Sequence, residues 1–378
     1  MAGIYIHIPF CKQACTYCDF HFSTSNKLVD RVVLALAKEA EMRKDETTEI
    51  INTVYFGGGT PGILSIAQLE TVLTAIRSNY KISSDAEVTL ETNPDDVSKE
   101  KTEGWAKLGV NRLSIGIQSF FDNHLTWMNR AHNAAEAENC VKIALEVGID
   151  NMTIDLIYGV PNMTVDEWKE NLNKAVDLGV NHISAYCLTV EPNTALGHHV
   201  AKGKEKPVNE EAAALHFEYM VDFLASKGFR QYEVSNFSKP GFESEHNSAY
   251  WAGVPYIPLG PSAHGFDGTS RYWNVANNAG YCAAIEAGEL PTTKETLSRE
   301  ERFNEWVMTG LRTAKGIDLK RGDQEFGVDF QKIYSAEIER IIDDGSARLE
   351  NDQLTLTKKG MFLADGIASD FFILEHED

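Results

Sequence analysis

Three cysteines near the start of the chain are spaced as a metal-binding array. The segment YIHIPFCKQACTYCDFHF places Cys11, Cys15 and Cys18 in a C-x3-C-x2-C pattern directly after an apolar run. Thiolates in such an array bind zinc or an iron–sulfur cluster. A structural zinc site has four ligands, and zinc here would need His7 or His21 as its fourth. A [4Fe–4S] cluster on three thiolates instead leaves one iron open to another ligand.

A thioredoxin-like pair is the remaining alternative for these cysteines, although the third cysteine does not suit it. The next short apolar run ends in YFGGGTP, which contains Gly58, Gly59 and Thr60. Glycines leave room for backbone groups to approach a ligand closely. The structural alternative for this segment is a tight turn between a strand and a helix.

The elements that must position these residues alternate along the first two thirds of the chain. Short β-rich runs begin at residues 4, 52, 86, 112, 151 and 182, and the spacing predicts a helix after each one. The predicted helices span 27–43, 66–79, 98–108, 134–147, 165–178 and 210–227. Six strand-helix units predict an α/β fold with a parallel sheet, closed or partly closed as a (β/α)6-type barrel. The chemistry of such barrels collects where the strands end, which is where the cysteines and glycines fall.

The rest of the chain predicts two further parts. We assign residues 1–235 to the barrel and 236–290 to a connecting segment that contains HNSAYW. Residues 291–378 are predicted to form a small α+β domain of winged-helix type, with a hairpin formed by 347–349 and 353–357. Few basic residues lie near this hairpin, so packing or partner docking is expected there rather than DNA binding.

Composition and charge restrict the function classes. The 378 residues are 43% hydrophobic, which suits a large globular core. The formal charge of -21 would repel nucleic acid, so none is expected as a partner. No secretory signal or membrane span is evident, and the six cysteines do not form a disulfide framework. We therefore predict a cytoplasmic protein.

The motifs together resemble a known superfamily. A C-x3-C-x2-C array after the first strand, followed by YFGGGTP after the second, is similar to the radical S-adenosylmethionine (SAM) superfamily. ETNPD, IGIQSF, NRAH and DLIYGVP extend the similarity to its coproporphyrinogen dehydrogenase-like branch. This resemblance implies a [4Fe–4S] cluster on Cys11, Cys15 and Cys18, with SAM as the ligand of the fourth iron.

The same resemblance implies a set of SAM-binding residues, each at a position that matches a family motif. These are Tyr5, Tyr17, Gly58, Gly59, Thr60, Glu91, Gln118, Arg130 and Asp155. Structural alternatives exist for several of them. Glu91 and Asp155 are also suited to capping a helix or turn, Gln118 to bonding barrel backbone, and Arg130 to an ion pair at the rim.

Two features separate the members of this branch. The porphyrinogen-oxidising dehydrogenases resemble this motif but have a further cysteine at the position of Phe20. HNSAYW, in contrast, is similar to a segment associated with haem in the HemW family of haem chaperones. That resemblance implies haem contacts by His246, Tyr250 and Trp251, the first as a candidate iron ligand and the others as stacking rings. The Gly-, Pro- and Ser-rich surroundings predict an exposed loop, and simple packing at the barrel mouth is the structural alternative. Other candidate iron ligands are Cys187, His198, His199 and His264.

The expected function is that of a haem chaperone with a [4Fe–4S] cluster and SAM. Its expected partners are haem and client haem proteins such as respiratory enzymes. The first alternative is radical oxidation of a porphyrinogen, and a more remote one is radical modification of RNA. A further alternative is a haem carrier in which the cluster and SAM are only structural or regulatory. No residue is assigned as catalytic, and pairing of two chains and peripheral contact with a membrane are left open.

Overall fold

The computed structural model describes residues 2–373, which alternate strands and helices in the predicted order. The strands are β1 (Ala2–Ile8), β2 (Ile51–Gly58), β3 (Ile82–Thr92), β4 (Arg112–Gln118), β5 (Met152–Tyr158), β6 (His182–Cys187), β7 (Arg230–Gln231), β8 (Asn236–Ser238), β9 (Tyr256–Leu259), β10 (His264–Phe266), β11 (Ser270–Asn274), β12 (Thr292–Thr296), β13 (Ile317–Asp318), β14 (Ala347–Glu350) and β15 (Gln353–Leu356).

The α-helices follow the same numbering along the chain. They are α1 (Val29–Met42), α2 (Ile66–Asn79), α3 (Lys99–Lys107), α4 (Asp122–Trp127), α5 (Ala134–Val147), α6 (Val165–Asp177), α7 (Ala195–Ala201), α8 (Glu210–Ser226), α9 (Glu245–Trp251), α10 (Asn278–Ala287), α11 (Arg299–Leu311), α12 (Leu319–Phe326), α13 (Phe330–Ile333), α14 (Ser335–Asp343), α15 (Lys358–Phe362) and α16 (Ala364–Ser369).

The first six strands form the predicted parallel sheet. Each pairs in parallel with the next, and the helices that connect them pack on the outside. The crossover helices cover the outer face of these strands, and the central strands β1, β4 and β5 are almost entirely buried. Within residues 2–373 the sheet is open, because β1 and β6 do not pair with each other. The prediction of a partial (β/α)6-type barrel is confirmed.

Residues after β6 extend the sheet at both of its edges. After α8 the chain forms the short antiparallel strands β7 and β8, of which β8 pairs with β6. On the other side β9 pairs in parallel with β1, and β10 to β12 continue outward. A buried Glu39 on α1 anchors this extension, since its carboxylate accepts hydrogen bonds from Gly260 N, Asn274 Nδ2 and Tyr281 Oη.

The C-terminal part contains α11 to α16 and a three-stranded antiparallel sheet in the order β13, β15, β14. The predicted hairpin is present as β14 and β15, and both turn residues, Asn351 and Asp352, have positive φ. Aromatic side chains, among them Phe303 and Phe330, fill its core. Across the part of the chain described, no helix is both long and apolar enough to cross a membrane.

Candidate functional site

A cavity of about 700 Å³ occupies the lumen of the open barrel. Alternate residues of the parallel strands line it, because successive side chains of a strand point to opposite faces. The lining includes Tyr5, His7, Tyr55, Glu91, Arg112, Ser114, Thr153, Asp155, His182, Ser184 and Tyr186. The lumen is therefore polar and aromatic, while the opposite face of the same strands packs against the helices.

The cysteine loop follows β1 at the carboxyl edge of the sheet. Cys11, Cys15 and Cys18 are half-buried and are free thiols. Burial raises the pKa of Cys11, and it raises the pKa of Cys18 to about 11. Two donors approach the sulfur atoms: Thr60 Oγ1 donates to Cys11 Sγ at 3.6 Å, and Arg130 Nη1 to Cys15 Sγ at 3.2 Å. Both donors favour the thiolate form that a metal cluster requires.

Loops after β3 and β4 hold the cysteine loop in place. Lys12 Nζ lies 2.7 Å from carboxylate oxygens of both Asp95 and Asp96. Asn129 accepts a hydrogen bond from Gln13 Nε2 at 2.7 Å and donates to Ala14 O at 2.7 Å. No role was predicted for these residues from the sequence, although Asp95 and Asn129 lie in the ETNPD and NRAH motifs.

The glycine turn after β2 packs directly against the cysteine loop. Gly59 N donates to Ile8 O at 2.9 Å, and Thr60 N donates to Phe10 O at 2.8 Å. A Cβ atom on Gly59 would lie 2.7 Å from Phe10 O, so a larger residue cannot fit there. Gly58 has a φ of 103°. The glycines thus allow the close approach of two loops, which the sequence had also suggested as a ligand-binding feature.

Two carboxylates, those of Glu91 and Asp155, line the lumen below this turn. Glu91 Oε1 accepts a hydrogen bond from Tyr55 Oη at 2.7 Å. Burial raises the pKa of Glu91 to about 7, and the negative charge of Asp155 contributes to the shift. Burial also raises the pKa of Asp155 to about 6. Tyr5 stacks on Tyr55 and donates towards His7 Nδ1 at 3.2 Å, so it lines the same lumen.

Gln118 and Arg130 complete the rim. Gln118 ends β4 with a φ of 67°, a conformation that costs energy for a residue with a Cβ and that is common at functional sites. Arg130 Nη2 donates to Asn93 Oδ1 at 2.5 Å and to Gly116 O at 2.6 Å. Burial raises the pKa of the Tyr17 hydroxyl and the charge of Arg130 opposes this shift, so Tyr17 is also part of this group. The structure thus brings the cysteine loop, the glycine turn, Gln118 and Arg130 to one end of the barrel, while Tyr5, Glu91 and Asp155 line the lumen below them.

HNSAYW lies in helix α9, and the prediction of an exposed loop is wrong. Ser244 caps the helix, with its side chain accepting a hydrogen bond from Asn247 N. The carboxylate of Glu87, on β3, accepts hydrogen bonds from Glu245 N at 3.0 Å and His246 N at 3.1 Å. A buried anion from a distant strand therefore satisfies the first turn of a short helix that local sequence signals do not specify.

His246 points from α9 into the lumen. Its Nδ1 lies 2.8 Å from Thr53 Oγ1, and its ring stacks on Tyr55 with centroids 4.9 Å apart. Burial lowers the pKa of His246 to about 4, so the imidazole is neutral at physiological pH. Its Nε2 has no hydrogen-bond partner in residues 2–373, and the residue lines the cavity.

The other two residues predicted to contact haem point in different directions. Tyr250 follows His246 by four positions, so both lie on one face of α9, and both line the cavity. Trp251 does not line the cavity. Its ring lies beneath the Arg312 guanidinium at 5.3 Å, against the C-terminal part of the chain. Among the alternative ligands only His264 lines the cavity, where it stacks on Trp273.

Aromatic surface is unusually exposed around this cavity. Phe20 is 67% exposed, Tyr186 45% and Tyr250 41%, and all three line it. Large rings left open on the wall of a concave site suit a flat apolar ligand.

His246 and the cysteine loop lie towards opposite ends of one lumen. A Cβ built on Gly3, at the start of β1, would be 3.4 Å from the His246 ring, whereas His7 lies beside Gly58 at the other end. His7 follows Gly3 by four positions, which corresponds to about 13 Å along the strand. Tyr5 and Tyr55 lie between the two levels.

The donor set fits a cluster better than a single ion. In the described part of the chain, no three His, Cys, Asp or Glu side chains converge closely enough to hold one metal ion. A [4Fe–4S] cluster does not need this convergence, because each cysteine thiolate binds a different iron.

Comparisons with known proteins agree with this geometry. The profile of the Radical SAM superfamily matches residues 5–175, and that of the HemN C-terminal domain matches residues 297–363. The solved structure of the radical SAM enzyme HemN, coproporphyrinogen III oxidase from Escherichia coli, has a TM-score of 0.85. It is 21% identical in sequence and covers 98% of this chain and 90% of its own, so the two share a fold.

Curated relatives are similar over almost the entire chain. The heme chaperone HemW of Lactococcus lactis is 33% identical over 98% of this chain and 97% of its own length. The HemW proteins of Mycobacterium tuberculosis and Bacillus subtilis are 35% and 33% identical, over 97% and 98% of this chain and 93% and 99% of their own lengths. These matches confirm the resemblance that the motifs indicated. The chain belongs to the HemW family within the radical SAM superfamily.

Proposed function

We propose that this chain is a haem chaperone that binds haem in the lumen cavity through His246. The proposal depends on the hydrogen bonding of the two nitrogens of this imidazole. Thr53 holds Nδ1, while Nε2 faces a cavity of about 700 Å³ and lacks a partner among residues 2–373. Relatives named as haem chaperones cover nearly the whole chain, which supports the same conclusion.

The surroundings of His246 suit haem. A neutral imidazole is the form that ligates iron, and a hydrogen bond to the other ring nitrogen fixes its orientation. Tyr250 offers an exposed ring on the same helix face. The cavity is within the size range of cofactor sites, and its aromatic walls are suited to a porphyrin.

Membership of the radical SAM superfamily implies a [4Fe–4S] cluster and SAM. We infer that Cys11, Cys15 and Cys18 hold the cluster. When bound, these groups supply one-electron reduction of the SAM sulfonium. The hydroxyl of Thr60 and the guanidinium of Arg130 would stabilise the thiolates by donating to sulfur.

We infer the SAM contacts from the same rim. Glu91 offers a carboxylate for ribose hydroxyls, and its contact with Tyr55 orients it. Gly58 and Gly59 expose backbone at the turn beside the cysteine loop. Tyr5, Tyr17, Thr60, Gln118, Arg130 and Asp155 complete the proposed set.

We infer that the recipients are haem-dependent proteins such as respiratory enzymes, with transfer taking place in the cytoplasm. Porphyrinogen oxidation is the weaker candidate. The position of the further cysteine in the dehydrogenases is Phe20, whose exposed ring offers surface to a ligand but no thiol.

Haem titration and transfer test this function. The intact protein should shift the Soret band of ferric haem on binding, and should then load a haem-depleted respiratory cytochrome faster than free haem does. His246→Ala should lose the shift. His199→Ala, on α7 outside the cavity lining, is the matched control and should behave as the parent protein. A parent protein that leaves the haem spectrum unchanged would contradict the proposal, and decarboxylation of coproporphyrinogen would support the alternative.

A further inference from the structure

The lumen cavity has only two permanently cationic side chains among its described lining residues, Arg112 and Arg271. Arg112 is buried and already engaged. Its Nε lies 3.5 Å from Glu87 Oε2, and its Nη2 donates to the Thr153 hydroxyl. Arg112 therefore serves as a counter-ion inside the barrel, which leaves Arg271 as the cation available to a ligand.

Arg271 is the second residue of β11, and the carboxylate of Glu305 holds its guanidinium. Its Nε donates to Glu305 Oε1, on α11, at 2.6 Å, and its side chain is 30% exposed. The guanidinium also lies over the Phe266 ring at 5.6 Å. A guanidinium has five donors in a rigid fork. The Nε contact with Glu305 fixes this fork. The Tyr256 hydroxyl also interacts with the guanidinium, and the remaining Nη donors are left for a second carboxylate.

The sheet register places Arg271 at the same level as His246. Gly3 pairs with Tyr256, Tyr256 with Phe266, and Phe266 with Arg271. These four residues form one row across β1, β9, β10 and β11, and three strand spacings correspond to about 14 Å. His246 covers the Gly3 end of this row.

Two aromatic rings lie between the imidazole and the guanidinium. Tyr256 is 6.4 Å from the His246 ring and 5.9 Å from the Tyr250 ring, centroid to centroid. Tyr250 and Tyr256 both line the cavity. The wall thus presents an iron ligand, then flat apolar surface, then a fixed cation.

Haem has the same order of chemistry, with iron at the centre, an apolar macrocycle and carboxylates at one edge. We propose that Arg271 binds a haem propionate and so selects porphyrins with a free carboxylate at that edge. This inference rests on the proposed binding of haem through His246. It assigns Arg271 a role that sequence motifs did not indicate.

The test compares ferric haem with its dimethyl ester, in which both propionates are neutral. Soret titrations would use the parent protein, Arg271→Gln and Arg271→Lys. The matched control is Lys294→Gln on the neighbouring strand β12, where Lys294 pairs with Asp267 outside the cavity lining. Thermal unfolding of each variant checks that it is folded.

We expect Arg271→Gln to bind haem about tenfold or more weakly, since a hydrogen bond to a charged group is lost. The affinity of Arg271→Lys for haem should lie between those of the parent protein and Arg271→Gln, because lysine keeps the positive charge but lacks the forked donors of a guanidinium. The ester should bind the parent protein and Arg271→Gln equally weakly, and Lys294→Gln should keep the parent preference for haem.

An Arg271→Gln variant that is folded and still prefers haem to the ester as strongly as the parent protein would overturn the role of Arg271 alone. Absence of any Soret shift with the parent protein would instead overturn the haem site itself, and this inference with it.

Discussion

Thr53 Oγ1 lies 2.8 Å from His246 Nδ1, so a residue of strand β2 holds the imidazole of a helix almost two hundred residues later. Gly3 makes this contact possible, because a Cβ at that position would lie 2.7 Å from Thr53 Oγ1. The pair fixes which ring nitrogen faces the lumen. A ligand histidine held through its other nitrogen is typical of metal sites in proteins.

Thr53→Val should weaken haem binding while leaving the imidazole present. Loss of the hydrogen bond to Nδ1 frees the ring, and changes of this kind typically cost about 10-fold or more in metal affinity. Soret titration measures the effect, with Thr71→Val on the exposed side of α2 as the control. Unchanged affinity in Thr53→Val would mean that the contact does not orient the ligand.

The side chain of Glu87 is expected to position α9 by accepting hydrogen bonds from the backbone of the helix. Glu87→Ala removes the acceptor of two helix N–H groups and leaves Arg112 without its buried partner, which should cost about 3 kcal/mol of stability. Glu87→Gln keeps an acceptor and should recover part of this loss. Hydrogen exchange should show faster exchange at the amides of Glu245 and His246 in Glu87→Ala. Amides that stay as protected as in the parent protein would exclude this role.

The three loop cysteines should be individually required for the cluster. After anaerobic reconstitution we expect about four irons per chain, the content of one [4Fe–4S] cluster. Replacing Cys11, Cys15 or Cys18 by Ala should abolish the visible absorbance of the cluster. Cys140→Ala and Cys282→Ala, at buried positions elsewhere, should retain it. A full complement of iron in any of the three loop variants would contradict the assignment.

Glu91 should make the ligand-free protein less stable as pH rises. Its pKa is about 7 in the folded chain and near 4.5 when unfolded, because burial disfavours the charge. Between these values the native state holds a proton that the unfolded state has lost, so the free energy of unfolding falls as pH increases through this window. Since Glu91 faces the cavity, we expect a loss of about 1–2 kcal/mol rather than the full shift.

Glu91→Gln should remove this part of the pH dependence. Denaturant unfolding at pH 5 and pH 8 measures the difference, and Glu70→Gln on an exposed face of α2 controls for the change in net charge. If the free energy of unfolding changed equally between pH 5 and pH 8 in Glu91→Gln and in the parent protein, the Glu91 carboxyl would not titrate in this window.

Trp251 should affect the attachment of the C-terminal part rather than haem. Trp251→Ala removes a half-buried ring and its contact with Arg312, which should lower stability by about 1–3 kcal/mol. The Kd for haem should stay within about twofold of the parent value, whereas Tyr250→Ala, on the cavity side, should raise it several-fold. Weaker haem binding in Trp251→Ala than in Tyr250→Ala would restore the sequence-based assignment.

Local sequence signals determined much of the barrel. The predicted bounds of α2 and α5 agree with the structure, since Ser65 and Asn133 cap them and their apolar residues recur at helical spacing. The predicted rim also followed from sequence, because the carboxyl ends of consecutive parallel strands lie at one edge. The cysteine loop and the glycine turn were placed together in this way, whereas Glu91 and Arg130 were assigned to the same site through the resemblance to radical SAM proteins.

Only the tertiary structure decided the conformation of HNSAYW and the orientation of its side chains. A helix of seven residues is not stable by its own propensity. Helix α9 depends on the carboxylate of Glu87, on β3, as a hydrogen-bond acceptor, and no local sequence pattern predicts this contact. Tertiary structure likewise decided where the side chains of this helix point and which residues lie at the same height in the sheet. Helix geometry turns Tyr250 to the lumen and Trp251 to Arg312, and the pairing of four strands brings Arg271 level with His246. The sequence by itself predicted the cysteine loop and the rim residues through their motifs. Long-range packing decided which residues meet in the lumen, because those contacts join segments far apart in the chain.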